Sequence, residues 1–116
     1  MKKEINFTKS EANALRNITK ILICYFNDNI NNVESKELYV GLKVLVSLHQ
    51  SLDEGETKFG FSDNIREFII DMIDFWYKGV GYSVYNSKEL KGTAGVTFRK
   101  HYKLVPSILN KLKNGI

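Results

Sequence analysis

A single proline, Pro106, and glycines that fall mostly between apolar-periodic runs constrain this 116-residue chain more than any motif it carries. Proline kinks or ends helices and glycine punctuates turns. A chain nearly free of the first, which spaces its segments with the second, is suited to long helices joined by loops. Four segments show the corresponding period. Thr8-Lys9-Ser10-Glu11 has the spacing of a capping box, in which hydroxyl and carboxylate each satisfy a free amide at a helix start. From there Leu15, Ile18, Leu22, Tyr25 and Phe26 fall on one face with Ala14 and Ile21 beside it, and Asn27-Asp28-Asn29 with Asn31-Asn32 ends the run. A second helix is expected from about Glu34 to Glu54, with Leu38, Leu42, Leu45 and Leu52 inward and Gly55 as its stop. Its β-branched Val40, Val44 and Val46 suggest strand, but about twenty residues without a turn signal far exceed a strand of ~5 to 6 residues.

The clearest helix spans Asp63 to Lys78, where Ile65, Phe68, Ile69, Met72, Ile73 and Trp76 follow the i, i+3, i+4 rule. Gly79-Val80-Gly81 breaks it, and Tyr82-Ser83-Val84-Tyr85-Asn86 reads as a loop. The last segment begins near Thr93 and carries Phe98, Tyr102, Val105, Leu109 and Leu112, with Pro106 expected to kink or split it. The fold class that follows is all-α: a single helical domain over residues 1–116, a bundle of about four amphipathic helices. A small β-ribbon near 57–61 and 82–85 is the variant left open, and it would make the fold α+β.

Composition bears on the class of function. Apolar residues are 43% and charged residues 26%, as in soluble globular domains. No run reaches the ~18 apolar residues of a spanning helix, and Met1 to Asn6 has no apolar stretch, which predicts a cytoplasmic protein. Cys24, the lone cysteine, cannot close an internal disulfide, and neither histidine has a neighbour at ligand spacing. No metal, no other cofactor and no catalytic residue are therefore expected. His49 projects into the leucine face of the second helix and Cys24 projects away from its own, so they form no nucleophile pair. His49 is expected to be a neutral core histidine bonded to a tyrosine or a backbone carbonyl. Glu67, Asp71 and Asp74 stack on one face, as on any exposed amphipathic helix. Gly79-Val80-Gly81 and Gly92-Thr93-Ala94-Gly95 match no nucleotide-binding loop.

Two surface features remain. Between residues 86 and 116 seven basic side chains face one acidic one, against ten basic and twelve acidic before them. Arg99, Lys100, Lys103 and Lys111 gather on the outer side of the last helix as candidate contacts for an anion or nucleic acid. The second feature is aromatic excess. Six Tyr, seven Phe and one Trp exceed what a core of this size needs, and Tyr39, Phe75, Tyr77, Tyr82 and Tyr85 fall off the core faces. Phe75, Tyr77, Tyr82 and Tyr85 form the candidate partner-binding flank, since aromatic residues dominate interfaces. Removing Tyr77 and Tyr85 is expected to weaken partner capture with little effect on melting. The function expected is a small non-enzymatic cytoplasmic binding or regulatory protein, of the accessory or inhibitor kind that phages and mobile elements of low-GC bacteria encode. Its partner is expected to be a protein, either a second copy or a heterologous one. The alternatives are a nucleic-acid-binding module using the basic last helix, and a membrane-peripheral, immunity-type helical bundle.

Overall fold

A computed structural model describes residues 3–29 and 36–115. Their order is β1 (Lys3–Asn6), α1 (Lys9–Asn29), α2 (Lys36–Asp53), β2 (Lys58–Phe61), α3 (Asp63–Lys78), α4 (Val80–Tyr85) and α5 (Gly92–Asn114). The four long helices are the four read from the periodicity. The start expected near Glu34 and the stop at Asn31-Asn32 lie outside the described residues, as does the side chain of Leu38.

α1 begins at the capping box. The Thr8 N–H donates to Glu11 Oε1 at 2.8 Å and the Glu11 N–H to Thr8 Oγ1 at 3.1 Å. α1 packs on α2 along one side and on α5 along another, and α5 also packs on α3. The shared core contains Leu15, Ile18 and Leu22 of α1, Leu45, Leu48 and Leu52 of α2, Ile69, Ile73 and Trp76 of α3, and Val105, Ile108 and Leu112 of α5. Each such side chain contributes about 1.5 to 3 kcal/mol by leaving water. α2 ends in a Schellman motif, with Glu56 N–H on the Ser51 carbonyl and Gly55 N–H on that of Leu52. The motif requires a left-handed residue, and Gly55 supplies it at φ +91°.

The ribbon differs from the one expected. Residues 58–61 do form a strand, but its partner is β1, antiparallel, with Lys3 opposite Phe61 and Ile5 opposite Phe59. The pairing is driven by burial. Ile5 is fully buried and Phe7 nearly so, and Phe59 lies against Phe7 with ring centroids 6.0 Å apart. Residues 82–85 are neither strand nor loop but helical, as part of α4. Gly81 allows this: a Cβ there would lie 2.9 Å from the Trp76 carbonyl oxygen and 3.1 Å from its ring. α4 can therefore turn directly onto the end of α3. α5 runs unbroken through Pro106, which is exposed, so the expected split is not seen. At its end the Arg66 guanidinium donates to the carbonyls of Leu112 and Lys113 at 3.3 and 3.2 Å.

Candidate functional site

The aromatic residues gather where α3, α4 and α5 meet. Tyr102 of α5 is buried and lies between two other tyrosines, with Tyr77 stacked on one side and Tyr85 on the other, each at a centroid distance of 4.5 Å. Its hydroxyl donates to the Tyr77 carbonyl at 3.0 Å. Trp76 and Phe98 close the cluster at 6.1 and 6.3 Å from the Tyr102 ring. Burial, followed by the neighbouring tyrosines, raises the Tyr102 hydroxyl pKa, so it stays protonated and donating. Over the stack lies a hollow of about 460 Å³ lined by Tyr77, Lys78, Tyr82, Tyr85, Asn86 and Tyr102.

The expected partner-binding flank thus divides. Tyr77 and Tyr85 are half-buried in the stack and help hold α3, α4 and α5 together. Phe75 and Tyr82 remain 62% and 58% exposed, joined by Val80 at 57%. Such side chains in water are the material of an interface. The expectation that removing Tyr77 and Tyr85 spares the melting temperature does not survive this geometry, because both rings cover a buried tyrosine.

The basic helix also divides. Arg99 donates to the Leu90 carbonyl at 2.9 Å and to that of Ser87 at 3.4 Å, pinning the α4–α5 loop. Lys111 turns inward onto Glu11, with Nζ 2.5 Å from Oε1. Glu11 is 2% exposed, and its other oxygen accepts from the Ser107 hydroxyl. Burial pushes its pKa up. The hydrogen bonds from Lys111, Ser107 and Thr8, with the Lys111 charge, outweigh that and leave it below the ordinary carboxylate value. Of the four expected anion contacts, Lys100 and Lys103 point to water without an ion-pair partner among the described residues.

The residues weighed for chemistry are dispersed. His49 is half-buried at the α1–α2 seam, where Nδ1 lies 3.0 Å from both the Arg16 carbonyl and Thr19 Oγ1. The Thr19 hydroxyl itself donates to the Arg16 carbonyl, so His49 carries the proton on Nδ1. His101 is buried, with Nδ1 3.2 Å from Asn17 Nδ2, and burial, then Lys100 and Arg16, lower its pKa. The amide therefore donates to a neutral ring. Cys24 is exposed, and Asp74 pairs with Lys78 at 2.9 Å. Among the described residues no three His, Cys, Asp or Glu side chains gather as a metal site. No described helix is long and apolar enough to cross a membrane.

Sequence reading missed a second concave surface. Val40, Val44 and Leu48 of α2, Phe59 and Phe61 of β2, and Ile65 and Ile69 of α3 line an apolar groove of about 340 Å³, with Lys43, Ser47 and Ser51 along it. Its signal was the width of the apolar face of α2, where valines flank the leucine stripe. Comparison with protein-family models, curated proteins and solved structures finds no match.

Proposed function

We propose that the protein is a non-enzymatic binding protein, regulatory or inhibitory in action, that works by contact with another protein through the α3–α4 surface. The observation carrying this reading is the exposure of Phe75, Val80 and Tyr82 beside the Tyr77–Tyr102–Tyr85 stack. A stacked base costs little entropy to present, and exposed aromatic side chains supply contact area. The test is a photo-crosslinking amino acid placed at 75 or 82, with Lys20 on the outer face of α1 as control. A discrete adduct from 75 and 82 alone supports the reading. Equal labelling at all three positions refutes it.

A second reading, nucleic-acid binding, is favoured by the exposed Lys100 and Lys103. Two phosphate contacts give a log–log salt slope of about −1.8 on duplex DNA. Affinity that ignores both salt and charge reversal at the two lysines excludes it.

A further inference from the structure

The β-ribbon leaves one edge open beside the apolar groove. The Phe7 N–H donates to the Thr57 carbonyl at 2.8 Å, and the register continues through Ile5 opposite Phe59 and Lys3 opposite Phe61. In an antiparallel ladder hydrogen-bonded pairs alternate, so Thr57, Phe59 and Phe61 turn their N–H and C=O groups toward β1. Lys58 and Gly60 must turn theirs the other way. Both residues are exposed, and no described backbone or side-chain group bonds to their outward N–H or C=O. The alternation also sets the side chains. Phe59 and Phe61 share the inner face, stack at 5.5 Å, and form one wall of the groove, while no described β1 residue lines it. The groove therefore lies on the open-edge side of β2, between that edge and α2.

We infer that this edge and groove take an extended peptide segment of a partner protein, which adds as a third strand beside β2. Its alternate side chains would enter the groove against Phe59, Phe61 and Leu48, while its backbone bonds Lys58 and Gly60. Strand addition of this kind draws affinity from main-chain bonds and selectivity from pockets for every second side chain. Charge decides the occupant. Among the described residues Lys43 is the only charged one lining the groove and Lys58 stands on the strand, and neither has an ion-pair partner there. A second copy would bring its own Lys43 and Lys58 to the same seam. A segment with alternating apolar residues and acidic flanks is complementary. A strand of four residues rising about 3.3 Å each matches a partner segment of four to five residues.

The surface is separate from the α3–α4 aromatic one, so it can be tested independently. A phage-displayed library of random decapeptides is selected on the whole protein, and the enriched peptides are synthesised and titrated by fluorescence polarisation. Alternating apolar positions with at least one acidic flank are expected. N-methylation should weaken binding tenfold or more at every second residue and less than about threefold at the residues between, because only alternate amides face β2. Ile65→Asp, at a position 38% exposed and so tolerant of change, should weaken the same peptides at least tenfold with the circular dichroism spectrum intact. The pair Phe75→Ser and Tyr82→Ser should leave them unaffected. Enriched peptides without alternation, N-methylation effects without parity, or affinity unchanged by Ile65→Asp would overturn the inference. So would a salt-stable dimer abolished by Gly60→Pro, which would give the edge to a second copy.

Discussion

Replacing Lys111 with methionine should destabilise the protein, most at neutral pH and less as pH falls. Nζ lies 2.5 Å from Glu11 Oε1, and Glu11 is 2% exposed. At an effective dielectric of 20 the gross attraction is about 7 kcal/mol, most of it offset by desolvation. Losing one partner of such a pair typically costs about 3 to 5 kcal/mol, because the other charge is left buried. The two partners are not equivalent. The Lys111 side chain is 23% exposed, so in Glu11→Gln the ammonium swings to water and the cost falls to about 1 to 3 kcal/mol. In Lys111→Met the carboxylate cannot leave, and the full cost appears, a fall of roughly 12 to 20 °C in Tm at about 4 °C per kcal/mol. The double variant Glu11→Leu with Lys111→Met removes both charges and should lie within about 2 kcal/mol of wild type, the remainder being the lost half of the capping box.

In the wild type the folded Glu11 pKa lies below its unfolded value, so its contribution is complete above about pH 4.5 and disappears as pH falls through the folded value. The disadvantage of Glu11→Gln should therefore shrink on acidification. Without Lys111 only the Ser107 and Thr8 hydrogen bonds oppose burial, so the folded pKa moves up from its wild-type position. Stability relative to wild type should then recover as pH falls. Urea denaturation of the four proteins from pH 7 to pH 3 reads all of this. A Lys111→Met cost below 1 kcal/mol, or one that does not shrink on acidification, would refute the buried pair.

Three further outcomes are expected from the packing. Tyr77→Ala with Tyr85→Ala removes both faces of the stack on Tyr102, each half-buried ring contributing about 1 to 3 kcal/mol of partial burial and stacking together, so Tm should fall by roughly 8 °C or more in a thermal melt. Gly95→Ala places a Cβ 2.9 Å from the Leu90 carbonyl oxygen, and should lower Tm despite the ~1 kcal/mol helix-propensity advantage of alanine. His101 has a folded pKa below its unfolded value of about 6.5, so it contributes stability above that pH and less as pH falls beneath it. The urea midpoint of His101→Gln should accordingly change less than that of wild type between pH 7.5 and pH 5.

What the sequence showed and what it hid divide by range. The four long helices, the Thr8–Glu11 box and the Gly55 stop are local, written within a turn or two of the residues that form them. β1 pairs Lys3–Asn6 with residues more than fifty positions away, and its polar Lys-Glu-Ile-Asn carries no strand signal of its own. α4 failed for a related reason: Tyr82-Ser83-Val84-Tyr85 alternates like a strand, and only the packing of Gly81 on Trp76 and Tyr85 on Tyr102 makes it helical. Arg99 and Lys111 read as surface cations because charge on an outer helix face normally meets water. The carbonyls of Ser87 and Leu90, and a carboxylate 100 residues away, cannot be seen from spacing. On the candidate site, aromatic excess pointed to the α3–α4 region, where Tyr77, Tyr85 and Tyr102 do stack. It could not separate Tyr77 and Tyr85, which stack inward, from Phe75 and Tyr82, which face water.

The most direct test of the proposed binding role is size-exclusion chromatography with light scattering on cell extract containing wild type, Phe75→Ser with Tyr82→Ser, or Lys100→Glu with Lys103→Glu. Each is run at low salt and at ~0.5 M, where screening confines charge attraction to a few ångströms. The α3–α4 account predicts a complex that persists at high salt, is lost in the aromatic pair and is kept in the charge-reversed one. A complex that dissolves in salt, disappears on charge reversal and ignores the aromatic pair would contradict it.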